Sequence, residues 1–306
     1  MMKSLNVLSL FDGIGGAMLA LKQSNIKIDK YFASETDKHC LQVSKCNFPE
    51  IIHIGYVKKF NTDSLPKIDL LIGGSPCQDL SNAFKGKGLK GNRSSLFFDF
   101  LRIKDFYKPK YFLLENVNNK WKKEIDQHLN EEGVIINSEY FTAQYRPRCY
   151  WSNIPIELPK KISEKQIIDI IQKNNVSKKY FYDNELMSGF NKAMLKKTKL
   201  GINKIYDIPK DQFNDFERQR RVYSPLGKSP TLLARSDTTK IFFKNKLRKL
   251  TPLECERLQG IPDNHTALLS DTQRYKAIGN SFTIPVVKYI LQSLGKVKKK
   301  QLNLLE

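Results

Sequence analysis

Four short segments of this chain carry residues able to do chemistry, and each follows an apolar run. Cys77 stands in Gly73-Gly74-Ser75-Pro76-Cys77-Gln78. A free cysteine is ordinarily a packed small hydrophobe. Here it follows proline on a glycine-rich strand exit, and the basic stretch 85–93 comes next, a setting that presents the thiol and favours its nucleophilic thiolate. Glu115, in Glu115-Asn116-Val117, emerges directly from an apolar strand pattern. Burial there would raise its pKa and suit it to deliver a proton, although an ordinary ion pair is the plainer reading. The turn Phe11-Asp12-Gly13-Ile14-Gly15-Gly16 lets backbone approach a ligand closely. Met18 occupies the place of the third glycine of a dinucleotide fingerprint, which excludes that motif. In Ser34-Glu35-Thr36-Asp37, Glu35 suits the two hydroxyls of a ribose, whereas Asp37 suits a helix N-terminus.

Strands must position all four. Apolar runs at 6–10, 30–33, 68–72 and 111–114 read as buried strands, with helical patterns at 17–23, through His39 and Val43, and at 96–106. Strands alternating with helices predict an α/β fold with a doubly wound, mostly parallel sheet, and such sheets bind ligands at the carboxyl ends of their strands. From 155 to 249 the pattern breaks into short strands, turns and dense Lys, Asn and Asp. Helical periodicity returns after Thr251, a good N-cap followed by Pro252, and a last helix spans 284–294.

Lys and Arg number 52 against 31 Asp and Glu, a formal net charge of +21 over 306 residues. A polyanion is the physical counterpart of such a surface. The cysteines number 5, an odd count without a CxxC pair, and the 4 histidines lack metal-ligand spacing. A disulfide framework and a structural metal are therefore not expected. With no long apolar run and no signal-peptide layout, the expectation is a soluble protein of a reducing cytoplasm, with no membrane partner.

In this order the segments resemble the DNA (cytosine-5-)-methyltransferase family, over residues 7 to about 294. The most specific matches are Gly74-Ser75-Pro76-Cys77-Gln78, Glu115-Asn116-Val117 and Gln144-Tyr145-Arg146-Pro147-Arg148, the last fitting Gln-x-Arg-x-Arg. Residues 89–97 are similar to the family's mobile catalytic loop. Ser229-Pro230-Thr231-Leu232-Leu233, Arg257-Leu258-Gln259-Gly260-Ile261-Pro262 and Gly279-Asn280-Ser281-Phe282 are similar to its later blocks.

The resemblance implies an S-adenosylmethionine-dependent methyltransferase fold acting on a flipped-out cytosine in double-stranded DNA. Cys77 would add to C6, Glu115 would protonate N3, and Arg146 with Arg148 would hold the base. Phe11, Gly13, Gly15 and Glu35 would hold the cofactor S-adenosylmethionine, with Asn280 and Ser281 closing its pocket. Ser81, Arg93, Gln144, Arg218, Arg220 and Arg221 are the expected DNA contacts. The implied organisation is a catalytic domain at 1–154, target recognition at 155–249, returning helices at 250–295 and a Lys-rich tail at 296–306. A monomer without metal is expected, with a cognate restriction endonuclease as a further partner.

One departure stands out. Where the family carries Gly-Asp to hold the adenine amino group, this chain reads Gly55-Tyr56-Val57, and Tyr56 cannot accept that bond as a carboxylate does. Weakened cofactor affinity is the expectation. Two other functions stay open: a transfer-RNA cytosine methylase of the same superfamily, and a DNA-binding relative that has lost turnover. The basic segment 155–249 and the absence of a Cys-Phe-Thr stretch favour DNA. Intact Cys77, Glu115, Arg146 and Arg148 favour turnover.

Overall fold

The computed structural model describes residues 3–75, 95–118, 120–191, 201–236, 238–294 and 296. In chain order the elements are β1 (Leu5–Leu10), α1 (Gly16–Gln23), β2 (Ile28–Ser34), α2 (Lys38–Asn47), β3 (Ile52–Gly55), β4 (Leu70–Gly74) and α3 (Ser95–Tyr107). There follow β5 (Tyr111–Val117), α4 (Lys122–Leu129), β6 (Val134–Asn137), β7 (Pro147–Ser152), α5 (Ile167–Ile170), β8 (Lys204–Asp207), α6 (Glu217–Arg220) and β9 (Arg221–Tyr223). The last are β10 (Lys240–Phe243), β11 (Lys246–Lys249), α7 (Pro252–Gln259), α8 (Asp271–Asn280) and α9 (Ile284–Leu291). They fall into two compact units: Met1–Ile136 with Pro147–Leu158 and Ile284–Glu306, and Asn137–Arg146 with Pro159–Thr283. Helices α7 and α8 thus group with the second unit and α9 with the first.

The first unit is built on a seven-stranded sheet of order β3-β2-β1-β4-β5-β7-β6. Strands β1 to β5 run parallel, and β7 joins β5 antiparallel. A sheet covered on both faces buries both sides of its strands, which is why β1 is buried everywhere but at Asn6. Phe97, Phe100 and Ile103 project from α3 at helical spacing into a core shared with Leu8, Leu71 and Phe112. Truncating a buried phenylalanine such as Phe100 would cost about 3–5 kcal/mol. Strand order reverses between β1 and β4, the switch point where open α/β sheets hold ligands.

The structure departs from the sequence reading in this unit at its edges. Strand β3 has no fully buried residue, so its apolar signal is weak. Strand β7 lies over part of the Gln-x-Arg-x-Arg segment, where polar motif residues mask the strand pattern.

In the second unit a four-stranded sheet of order β11-β10-β9-β8 surrounds a small core that includes Ile205, Ile208, Val222 and Leu247. Helix α7 starts as its sequence predicts: the Glu254 amide donates to Thr251 Oγ1, and the Thr251 amide donates to Glu254 Oε2 at 2.7 Å. Arg248 grips the same Glu254 with two bonds of 2.8 Å, and both side chains are buried. Lys228 is likewise buried, its ammonium donating to the carbonyls of Glu139, Thr142, Ser163 and Lys165. Lys240 donates to Gln219 O and lies over the Tyr182 and Phe213 rings. Part of the chain's positive charge therefore organises the interior rather than facing a partner.

Among the described residues no helix is long and apolar enough to cross a membrane, and no cluster of His, Cys, Asp and Glu could hold a metal ion.

Candidate active site

The turn after β1 folds through three left-handed residues, Phe11 (φ 59°), Gly13 (φ 61°) and Gly15 (φ 78°). A Cβ at Gly15 would come within 2.7 Å of the Phe48 ring, so only glycine fits there. Glu35, at the end of β2, ties this turn to its own strand. Its Oε2 accepts from the Gly13 amide at 2.8 Å, and its Oε1 accepts from the Thr36 and Asp37 amides at 2.6 and 2.8 Å. Asp37 caps α2 through the His39 and Cys40 amides, the helix-terminal role expected of it.

Beneath the turn lies a group that sequence reading did not single out. Asp12 is buried and accepts a 2.6 Å bond from the Tyr31 hydroxyl. Burial pushes its carboxyl up to about 6. On the next strand, Ser34 pairs with Gly55 and donates its hydroxyl to the Gly55 carbonyl, leaving the half-exposed Tyr56 one step beyond the strand end.

Next to the switch point, β4 pairs with β5 so that Gly74 lies opposite Glu115. The next residues are locked together: Asn116 Nδ2 donates to Ser75 Oγ at 2.9 Å and to Ser75 O at 3.3 Å, both residues buried. Asn116 thus anchors the point at which the chain leaves β4 for Pro76 and Cys77. Its signal in the sequence is a polar side chain inside an apolar strand. Cys77, Ser81 and Arg93 themselves lie outside the described residues. Glu115 Oε1 meets Arg148 Nε at 3.1 Å, with both side chains largely buried. Burial raises the Cys149 thiol to about 12 and pushes Cys255 higher still, so neither is an activated nucleophile.

The remaining site residues of the sequence reading belong to the second unit. Arg146 is buried, and its guanidinium donates to the carbonyls of Leu232, Gly279 and Ser281 at 3.1, 3.0 and 3.2 Å. Gln144 has no exposed surface; its amide donates to Leu258 O and Gln259 Oε1 and accepts from the Leu232 amide. Both residues join the later sequence blocks into one scaffold, which is why a Cβ at Gly279 would strike Leu233 O at 2.4 Å. Asn280, at the end of α8, is exposed, and Ser281 is half-exposed. Arg218 and Arg221 line a recess together with Tyr223, Thr231 and Thr238. Arg218 donates to Thr231 O, and Arg221 pairs with Glu217. Arg220 instead donates to Ile208 O at 2.7 Å.

The family model for C-5 cytosine-specific DNA methylase matches residues 5–296 of this sequence. The chain belongs to the C-5 cytosine-specific DNA methylase family. It is 33% identical to the type II methyltransferase M1.ScrFI of Lactococcus lactis subsp. cremoris, over 96% of this chain and 79% of that one. It is 29% identical to the type II methyltransferase M.HhaI of Haemophilus parahaemolyticus, over 95% and 94% of the two chains. Among solved structures, S. pombe Dnmt2 methyltransferase aligns with a TM-score of 0.70 at 17% identity, covering 96% of this chain and 99% of that one. Entamoeba histolytica methyltransferase EhMeth aligns at 0.67 and 20% identity, covering 96% and 99%. At these identities the structural likeness speaks for the fold alone.

Methylases of this family use S-adenosylmethionine as methyl donor, and the strand ends of the first unit fit such a molecule. A Cβ on Gly13 would meet nothing nearer than the Phe11 carbonyl at 4.0 Å, and one on Gly55 nothing within 4 Å, so the backbone is open to a ligand at both turns. Between them, just past the end of the intervening strand β2, stands the fixed carboxylate of Glu35, which can accept hydroxyl hydrogens.

Proposed function

We propose that this methylase transfers the methyl group of S-adenosylmethionine to C5 of a cytosine flipped out of double-stranded DNA, within a short sequence context. The observation that carries this reading is the Asn116–Ser75 anchor beside the Glu115–Arg148 pair. It brings the strand exit that leads to Cys77 alongside a charged pair suited to a pyrimidine ring.

In this reading the Cys77 thiolate adds to C6 while Glu115 delivers a proton to N3, which gives C5 enamine character. Arg148 orients Glu115 and opposes negative charge developing on the base. The cofactor supplies an electrophilic methyl group when bound. Loss of the C5 proton to a base, elimination of Cys77 and return of the N3 proton to Glu115 then restore the aromatic ring and the acid. Glu35 holds the ribose, while the turn of Phe11, Gly13 and Gly15 holds the rest of the cofactor, with Asn280 and Ser281 completing its site. Arg146 joins Arg148 in holding the base, and within its own unit it fixes the carbonyls of Gly279 and Ser281.

Target recognition is assigned to the segment 155–249, with Arg218 and Arg221 as the leading DNA contacts, joined by Ser81, Arg93 and Arg220. Gln144 serves recognition indirectly, through the scaffold it ties together. The enzyme acts as a monomer in the cytoplasm of a prokaryote or on behalf of a phage, and a cognate restriction endonuclease is its natural counterpart.

The test is bisulfite sequencing of unmethylated, mixed-sequence DNA after incubation with the protein and S-adenosylmethionine, with Cys77→Ala in parallel. Protected cytosines in one short context, absent with the variant, are expected. No protection with the unaltered protein would count against the activity.

A further inference from the structure

Phe216 is the most exposed large apolar side chain among the described residues, with 73% of its surface in water. A single exposed phenylalanine is ordinary; its surroundings are not. The Phe216 amide donates to Asp215 Oδ1 at 2.7 Å, which fixes the backbone just before α6. The Arg235 guanidinium lies 6.0 Å from the centre of the ring and 3.6 Å from the Asp215 carboxylate. A small bracket of Asp215 and Arg235 thus holds the ring out rather than letting it collapse. Within five residues follow Arg218 and Arg221, which line the recess beside Thr231. All of these residues belong to the second unit.

An aromatic face held in water beside cationic groups is chemically matched to a nucleobase attached to a phosphate backbone. The ring offers stacking to any base, and the neighbouring guanidinium adds a cation–π contribution. Apolar side chains of this kind also wedge between base steps in distorted duplexes. We propose that Phe216, backed by Arg235, is a base-stacking contact through which this unit engages DNA, supplying a part of the affinity that does not depend on charge. The proposal rests on the reading of this protein as a DNA methylase.

The distinction between stacking and charge gives the test. Binding of a labelled, mixed-sequence 30-base-pair duplex is followed by fluorescence anisotropy across a range of salt concentrations. Phe216→Ala is expected to weaken binding about tenfold or more. The slope of log K against log salt should stay as in the unaltered protein, because a phenyl ring releases no counterions. Arg221→Ala should instead make that slope shallower by about one. Phe216→Trp should retain affinity, and its indole emission should be quenched by the duplex beyond the background of Trp121 and Trp151.

If the unaltered protein binds the duplex and Phe216→Ala binds it equally well, or if the new tryptophan is unaffected by DNA, the stacking proposal is overturned. A loss of slope in Phe216→Ala like that of the arginine variant would overturn it too. If the unaltered protein has no affinity for the duplex, the DNA-methylase reading itself falls. Circular dichroism of each variant excludes unfolding as the cause of a loss.

Discussion

Arg148 Nε stands 3.1 Å from Glu115 Oε1, and the two residues sit diagonally across the antiparallel pair β5–β7, where Arg148 faces Val117 and Glu115 faces Tyr150. Side chains on such diagonals share a face of the sheet and reach each other easily. On its other side Glu115 lies opposite Gly74, one residue before the anchored Ser75. One strand therefore joins the acid, its cation and the exit that leads to the nucleophile.

Removing the cation should separate chemistry from binding. Arg148→Ala is expected to slow methyl transfer by about a hundredfold or more while leaving cofactor affinity unchanged. Arg148→Lys should fall between, since it keeps the charge and loses the guanidinium geometry. Single-turnover rates and cofactor calorimetry check this; an unchanged rate in Arg148→Ala would remove Arg148 from the mechanism.

The anchor should matter for stability as well as for activity. Asn116→Ala leaves the buried Ser75 hydroxyl without its donor, at a cost of about 1–3 kcal/mol. Urea unfolding measures that cost. A fall in turnover larger than the loss of folded protein is expected, because the strand exit before Cys77 loses its register. Full turnover in a stable Asn116→Ala protein would show that the anchor does not position the nucleophile.

Glu35 and Tyr56 should act on the cofactor in opposite senses. Glu35→Gln replaces an oxygen that accepts backbone amides with a donor, and calorimetry with S-adenosylhomocysteine should read about tenfold weaker binding. Tyr56→Asp restores an acceptor at the end of β3 and should tighten binding. An unchanged affinity there would mean that the adenine does not reach residue 56.

The buried carboxyl of Asp12 predicts a pH dependence. Its folded pKa of about 6 lies above the ordinary 3.8, so the folded chain holds this proton more tightly than the unfolded one. That contribution is complete below about pH 4 and is lost as pH rises through 6, a difference of about 3 kcal/mol at most. Asp12→Asn still accepts the Tyr31 bond without the charge. It should match the parent near pH 4 and exceed it in stability at pH 7.5, by urea unfolding at both values. Parallel pH profiles for the two proteins would contradict this.

The parallel core of the first unit was legible because its strands are largely buried and lead into glycines or an acid: Gly13 after β1, Glu35 after β2 and Gly74 at the end of β4. Strand β3 was not, because an edge strand with exposed Ile52 carries little apolar signal. The second unit was read only as irregular: its strands are three or four residues long, and distant pairings such as Lys204 with Tyr223 hold them together. The candidate site was readable only as residue types and their order. Partners were not: nothing local reveals that Arg146 fixes three carbonyls, that Arg148 pairs with Glu115, or that Lys228 and Arg248 are interior cations.

The proposed mechanism stands or falls on a bond between Cys77 and C6 of the target cytosine. The most direct measurement is mass spectrometry of the protein after incubation with S-adenosylmethionine and duplex DNA carrying 5-fluorocytosine in the methylated context, since fluorine at C5 blocks the final elimination. A stable adduct on the peptide containing Cys77, absent from Cys77→Ala, is the predicted result. An adduct on Cys40, Cys46, Cys149 or Cys255, or an adduct that persists in Cys77→Ala, would contradict it.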